Sequence, residues 1–426
     1  MKLKINMLKS TLVHEAATLV GGNAVGQGIA LLAYLLLTRI FSPSDFALYN
    51  IFLSHIEVLV ILSTLKYEQS IVVAHDDHEG SATAHLALTL NTFFSLLLLA
   101  VASLLLLTHT LPGDMDQLGW LVLLIPPMVY FTGTSRIYTS LFNRVRRYRD
   151  IAASTIALPV AGSALKVLFG LLGMMRSGLP LGNVLGQAAA NLVFRLKMRK
   201  LGLPKVSTAD MKAAAFRHLN FARYVATKDF INTFSANLPF LWLAAYFDKT
   251  EVGLFALAMT FTMRPANLLN NAFEKVMYAR SAEAVRCGQP LGRMVWRFLA
   301  WLYAAALPLC VLAWFVAEPL FTFFFSGRWS GCGVYVQALL PWMLVSLSST
   351  SLMFISNLFG TQRIDFFFMM AQLGLRVGAI AIGIAADSFL LAIRLYATAG
   401  TLVAVSLLVW YLWQVRRHDK KTRQLV

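Results

Sequence analysis

Charged residues make up only 13% of this chain, where a water-soluble domain carries about 25%. With 58% of the residues hydrophobic, too few polar groups remain to cover a soluble fold of this size, which excludes an ordinary globular enzyme. Acidic residues are the scarcer sign, 20 against 37 Lys and Arg, and the net charge is +17. Such a balance serves nucleic-acid binding elsewhere. Here the basic residues fall in short loops between apolar runs, so no nucleic-acid partner is implied. Cysteine is limited to Cys287, Cys310 and Cys332, without CxxC spacing, which excludes a disulfide framework or a zinc site. Missing too are a P-loop, a GxSxG elbow, an HExxH pair and a dinucleotide fingerprint. Without a P-loop there is no built-in ATP motor, and no cofactor is expected. Segments of about ten alternating residues, the mark of transmembrane strands, are also lacking.

What is present is a series of long apolar runs. Mean hydropathy is +0.66. Windows of about 19 residues predict roughly twelve spans. The first six are Ala17–Thr38, Asp45–Leu65, Ala82–Thr108, Leu118–Phe142, Ile151–Met174 and Gly178–Leu196. The second six are Phe230–Tyr246, Gly253–Phe273, Met294–Phe315, Tyr335–Leu358, Phe366–Ala385 and Ser388–Val415. Their lengths suit a hydrocarbon core about 30 Å thick. Lys2, Lys4 and Lys9 precede the first run, which continues without an A-x-A site and reads as an uncleaved span.

Lysine and arginine set the orientation. With the N-terminus inside, about 28 of the 37 basic residues lie in inside segments, against Arg39, Arg176, Lys249 and Arg328 outside. The expectation is a multi-pass protein of the cytoplasmic (inner) membrane with both termini in the cytoplasm. The longest polar stretch splits the spans six and six, predicting an N-terminal bundle at 1–196, a cytoplasmic linker at 197–228 and a C-terminal bundle at 229–426. Short internal repeats agree. Ser44-Asp45-Phe46-Ala47-Leu48-Tyr49 matches Thr250-Glu251-Val252-Gly253-Leu254-Phe255 in kind, and Ala164-Leu165-Lys166-Val167 matches Gly374-Leu375-Arg376-Val377, with Gly173 matching Gly383. Six is an even number, so both halves point the same way. The predicted fold class is an all-α membrane protein of about twelve transmembrane helices, in two six-helix bundles related by a parallel pseudo-two-fold repeat.

Ionisable residues inside spans are costly and usually face a cavity. Lys166, Arg264 and Arg376 lie deepest, with Arg136 nearer an inside end and Arg394 near Asp387. Arg39 and Asp229 are close to interfaces, where snorkelling or capping serves as well as cavity work. Asn23 and Gln27 share a helix face and suit either sugar hydroxyls or a neighbouring helix. Glu57 and Asp229 are candidate proton or sodium sites, and structural pairing explains them equally. The basic excess predicts a cavity for an anionic ligand. Gly22 and Gly26, and Gly178, Gly182 and Gly186, read as packing stripes. The run His75-Asp76-Asp77-His78-Glu79 has metal-ligand residue types, but it stands alone in a short loop and reads as solvated; no metal is expected.

The chain resembles the polysaccharide-exporter branch of the multidrug/oligosaccharidyl-lipid/polysaccharide superfamily, nearest to Wzx-type flippases. The segments that carry the likeness are Leu37 to Phe46 and Lys66-Tyr67-Glu68-Gln69-Ser70-Ile71-Val72 before an acidic loop. In the second half they are Glu251 to Ala258, and Phe325-Ser326-Gly327-Arg328-Trp329 leading to Leu340-Pro341-Trp342. The likeness departs at Ala47, where the family often has Gly, and at the two histidines of the acidic loop. Twelve spans count against the fourteen-span peptidoglycan-precursor flippases. The resemblance implies a transporter and not an enzyme. Its substrate would be an undecaprenyl-pyrophosphate-linked oligosaccharide repeat unit for O-antigen, lipopolysaccharide, capsule or exopolysaccharide, flipped by alternating access through a basic central cavity. Partners would be that lipid-linked oligosaccharide, membrane lipids and other polysaccharide assembly proteins. Two other readings stay open. One is a cation-coupled multidrug antiporter of the same superfamily, whose cavity should be acidic or aromatic. The other is a membrane-embedded glycosyltransferase or polymerase, which needs a catalytic acid and a sizeable outside loop.

Overall fold

The structure, a computed structural model, describes residues 21–22, 25–111, 113–198, 204 and 206–424. Every regular element among them is helical. Six spans come first: α1 (Val25–Ile40), then α2 (Pro43–Thr64), α3 (Asp77–Leu107), α4 (Ile125–Arg144), α5 (Tyr148–Leu171) and α6 (Met175–Met198). A short α7 (Thr208–Arg217) follows. The second six are α8 (Ala226–Leu238), α9 (Lys249–Arg286), α10 (Gly292–Phe325), α11 (Cys332–Ser351), α12 (Gln362–Ala385) and α13 (Phe389–Gln424). This is the all-α membrane architecture expected from the sequence. Among the described residues, 8 helices are long and apolar enough to cross a membrane on their own.

The first turns of two spans explain the clearest internal repeat. Ser42 caps α2: its hydroxyl accepts from the Asp45 amide (3.3 Å), its own amide donates to the Asp45 carboxylate (2.9 Å), and Pro43 fills the first helical position. At the matching place, Asp248 caps α9 by accepting from the Thr250 amide. The repeated Ser/Thr–acid pair is thus a helix start, used once in each half. The second repeat differs in its details. Gly173 lies just past α5 at φ +80°, whereas Gly383 stays within α12 and packs on Ala392. Lys166 therefore lies five residues before the end of α5 and Arg376 nine before the end of α12, about one turn apart in depth.

Three helices run past the predicted spans. α9, α10 and α13 have 38, 34 and 36 residues. At about 1.5 Å per residue each exceeds a hydrocarbon core of about 30 Å. In α9 and α13 the added length is a charged end that continues the helix past the apolar part, whereas α10 runs on through the mostly apolar Val316 to Phe325.

Two compact units divide the chain, Met1–Phe234 and Ser235–Val426, with the boundary inside α8. In the first, the glycine stripes bring helices close. A Cβ at Gly186 would meet Gly162 of α5 at 2.5 Å, and one at Gly22 would meet Ala152 at 2.7 Å. The segment 197–228 holds α7, and it packs within the first unit. Tyr67 donates to the Ala215 carbonyl (3.0 Å), and Ser81 donates to the Pro204 carbonyl (3.2 Å). In the second unit, Met277, Leu291, Val295, Leu299, Tyr411 and Val415 belong to one buried cluster where α9, α10 and α13 meet.

Candidate functional site

Polar residues on α6 organise the interior of the first unit. Asn183, Gln187 and Asn191 recur every four residues, so they share a face, and that face meets α4. The Gln187 amide donates to Ser135 Oγ (2.6 Å), Asn191 to the Phe131 carbonyl (2.7 Å), and Asn183 contacts Met128 Sδ (3.9 Å). Asn91 of α3 adds bonds to the Tyr130 carbonyl (2.9 Å) and Thr134 Oγ1 (3.2 Å). Lys166 joins this stripe at one end. Its ammonium donates to Tyr49 Oη (2.7 Å) and Asn183 Oδ1 (3.1 Å), and it lies 4.6 Å from the Tyr49 ring centroid. Gly182 makes room, since a Cβ there would meet Lys166 Cγ at 2.6 Å. The bonds to Tyr49 and Asn183 are to neutral oxygens, and they orient the ammonium. Lys166 is half-buried.

Arg376 holds the corresponding helix of the second unit in another way. Its guanidinium carbon lies 4.7 Å from the Trp342 ring centroid and 4.4 Å from that of Tyr396. Nη1 donates to Ser235 Oγ (3.2 Å). Gln372, one turn earlier, accepts from Nη2 and Nη1 (2.7 and 3.2 Å) when its amide oxygen faces the guanidinium. Tyr396 in turn donates to the Ala236 carbonyl (3.2 Å). Arg376 is 2% exposed, and its Nε has no hydrogen-bond partner among the described residues. Planar stacking and a fork of donors are arginine properties that lysine lacks.

The other sequence candidates are dispersed. Arg264 is half-buried on α9 beside Pro265, and Arg136 half-buried on α4. Gln27 is half-buried on α1, Arg39 is exposed, and Glu57 occupies an exposed position on α2. Asn23 lies outside the described residues. Asp229 pairs with Lys66 at 2.8 Å, and Lys66 sits in the left-handed region at φ 60° next to Leu65 at φ 47°. That ion pair fastens a strained turn at the end of α2 to the start of α8.

The acidic run after α2 differs from the solvated loop read from sequence. Asp76 caps α3, and the Glu79 amide it binds (2.7 Å) holds its carboxyl below the usual range. Glu79 is buried, and binds His218 Nε2 (2.8 Å) and Arg217 (2.9 Å) from the end of α7. Arg144 spans Asp77 (3.2 Å) and the Ala74 carbonyl (2.7 Å). These residues lock the segment after α6 to the loop before α3. No group of three or more His, Cys, Asp or Glu suited to a metal occurs among the described residues. Sequence reading missed the amide stripe, the aromatic pair around Arg376 and this lock. The stripe alone had a sequence signal, since three amides at four-residue spacing are visible on span six, where only its glycines were singled out.

A profile of the polysaccharide biosynthesis protein family matches residues 36–334. Among curated proteins none matches the sequence. Solved structures share the fold. The lipid II flippase MurJ in an inward closed conformation superposes with a TM-score of 0.72 at 13% identity, covering 96% of this chain and 90% of that one. A multidrug resistance MATE family transporter of the MOP superfamily, inward-facing, gives 0.70 at 14% identity, covering 92% and 96%. An outward-facing MATE transporter gives 0.62 at 13%, covering 95% and 96%. At such identities the likeness is one of fold.

Proposed function

The chain belongs to the polysaccharide biosynthesis protein family, and from that membership we propose that it is a flippase for a lipid-linked oligosaccharide. The substrate in this reading is an undecaprenyl-pyrophosphate-linked repeat unit of a surface polysaccharide, and the site of action is the cytoplasmic membrane, with both termini inside. A pyrophosphate and a glycan must cross about 30 Å of hydrocarbon while the lipid tail stays in the bilayer. Each polar group needs a partner on the way, or the barrier is prohibitive.

The observation that carries the proposal is Lys166, a half-buried ammonium oriented by Tyr49 and Asn183 at the end of an amide-lined stripe. A cation so placed attracts the phosphate charge, and amides suit sugar hydroxyls. Arg376, sealed by aromatic rings, serves the second unit as a structural centre.

A cation-coupled multidrug antiporter is the second reading, supported by the fold shared with MATE transporters. Deletion of the gene separates the two. A flippase defect strands lipid-linked oligosaccharide on the inner leaflet, because synthesis continues without transport. The measurement is leaflet-resolved accumulation of that intermediate, alongside dye efflux. Normal surface glycan with lost efflux overturns the flippase and promotes the antiporter.

A further inference from the structure

A second basic site lies in the second unit, away from Arg376, where the C-terminal end of α9 meets the start of α10. A cavity of about 860 Å³ opens there. Arg280 of α9 and Arg293 and Arg297 of α10 line it, and all three are exposed. Arg293 and Arg297 are four residues apart and share one helix face. None of the three makes an ion pair or side-chain hydrogen bond among the described residues. The carboxylate that also lines the cavity is already engaged. Asp419 of α13 accepts from the Leu291 and Gly292 amides at 2.7 and 2.8 Å and so caps α10.

The floor beneath the arginines is aromatic. Phe273 packs edge-on against Phe298 and Trp301, with centroids 5.5 and 5.8 Å apart. Trp301 is 60% exposed. From Asn270 on, the sequence of α9 turns polar and charged, with Asn270, Asn271, Glu274 and Lys275, so Arg280 stands well beyond the hydrocarbon-matched part of its helix. The cavity therefore falls at the level of lipid headgroups, where tryptophan is enriched. Cationic donors above an apolar floor at this depth match a phosphate that carries a lipid chain; a free phosphate would leave the floor uncovered.

We propose that Arg280, Arg293 and Arg297 form a binding site for the phosphate headgroup of an anionic lipid, with the chain lying on Phe273, Phe298 and Trp301. Two sources share that chemistry: bilayer phospholipids such as cardiolipin or phosphatidylglycerol, and a polyprenyl pyrophosphate. The phospholipid source does not depend on the flippase reading; the polyprenyl source rests on it and would make the cavity an entry point for substrate.

Native mass spectrometry of the full chain, released from mild detergent, tests the site. The protein is titrated with cardiolipin, phosphatidylglycerol, undecaprenyl pyrophosphate and, as the zwitterionic control, phosphatidylcholine. Wild type is expected to retain the anionic lipids over phosphatidylcholine. Combined Arg280→Gln, Arg293→Gln and Arg297→Gln should weaken that retention roughly tenfold or more, as loss of several guanidinium–phosphate contacts requires. Each single substitution should give a smaller part of the effect, which keeps the test valid if the triple variant folds poorly. Arg417→Gln with Lys421→Gln on α13, beside a neighbouring cavity, removes similar charge elsewhere and should leave retention near wild type. Competition between cardiolipin and undecaprenyl pyrophosphate then identifies the source. The site is overturned if wild type shows no anionic preference. It is overturned equally if the single variants and a folded triple variant bind as wild type, or if the α13 variant loses as much as the triple.

Discussion

Lys166 and Arg376 occupy the fifth helix of their respective halves, and their surroundings are opposite in kind. Lys166 is half-buried, with neutral oxygens of Tyr49 and Asn183 around its ammonium and an amide stripe beyond. Arg376 is 2% exposed, between two aromatic rings. A half-buried point charge can meet a ligand. A guanidinium closed on both faces is spent on holding helices α8, α11, α12 and α13 together through Ser235, Trp342, Gln372 and Tyr396. Charge at a repeated position thus meets two different surroundings.

Removing Arg376 should have the largest effect of any single substitution considered. Arg376→Ala deletes two desolvated cation–π contacts, each worth roughly 2 kcal/mol, and leaves Trp342 and Tyr396 facing a void. The expected result is a strong drop in folded protein, read by size-exclusion of a fluorescent fusion. Arg376→Lys should not restore it, because an ammonium cannot stack between two rings as a plane does. If Arg376→Ala accumulates normally but fails in transport, Arg376 is a contact for substrate and the contrast with Lys166 collapses.

Lys166 should behave in the reverse way. Lys166→Ala is expected to leave abundance near wild type and to cut polysaccharide output per molecule. A charge-assisted contact of about 1.5–3 kcal/mol corresponds to a loss of roughly ten- to a hundredfold. Lys166→Arg should recover part of the output, limited by the close approach of Gly182. Abundance and surface glycan measured on the same cells check this. Normal output in Lys166→Ala removes the basis of the proposed phosphate contact.

The fold was readable because twelve apolar runs and their six-and-six division are strong, long-range signals. Span ends were less so: α9 reaches Arg286 where hydropathy ends near Phe273, since a helix does not stop where lipid does. Deep cations were visible as residue types, but their roles were not. Nothing in the sequence around Arg376 announces that Trp342 and Tyr396, on two other helices, close over it. Glu79 read as one more acid in a polar loop, because its partners Arg217 and His218 lie far along the chain. Side-chain environment is a tertiary property, so a residue list read from sequence names kinds of group and not their neighbours.

The two halves also start their second helices differently, and this offers the mildest comparison. Ser42 caps α2 through a reciprocal box with Asp45, and Ser42→Ala should cost about 1 kcal/mol, a shift of about 2–4 °C in the melting temperature of a unit this size. Asp248 caps α9 with a carboxylate, and its hydrogen bonds to the Thr250 side chain and backbone hold its pKa below the ordinary value of 3.8. A carboxyl whose folded pKa is depressed contributes fully above the unfolded value and loses the contribution as pH falls through the folded one. Asp248→Ala should therefore destabilise at neutral pH by an amount similar to Ser42→Ala, and the difference from wild type should shrink below about pH 3.8. Asp248→Asn keeps a capping acceptor, so it should match wild type at neutral pH and be less sensitive to acid. Melting in detergent between about pH 3 and pH 7 reads this directly. If Asp248→Asn follows wild type throughout the acid range, the carboxylate is not what anchors the start of α9, and the matched sequence at the two helix starts reflects ancestry alone.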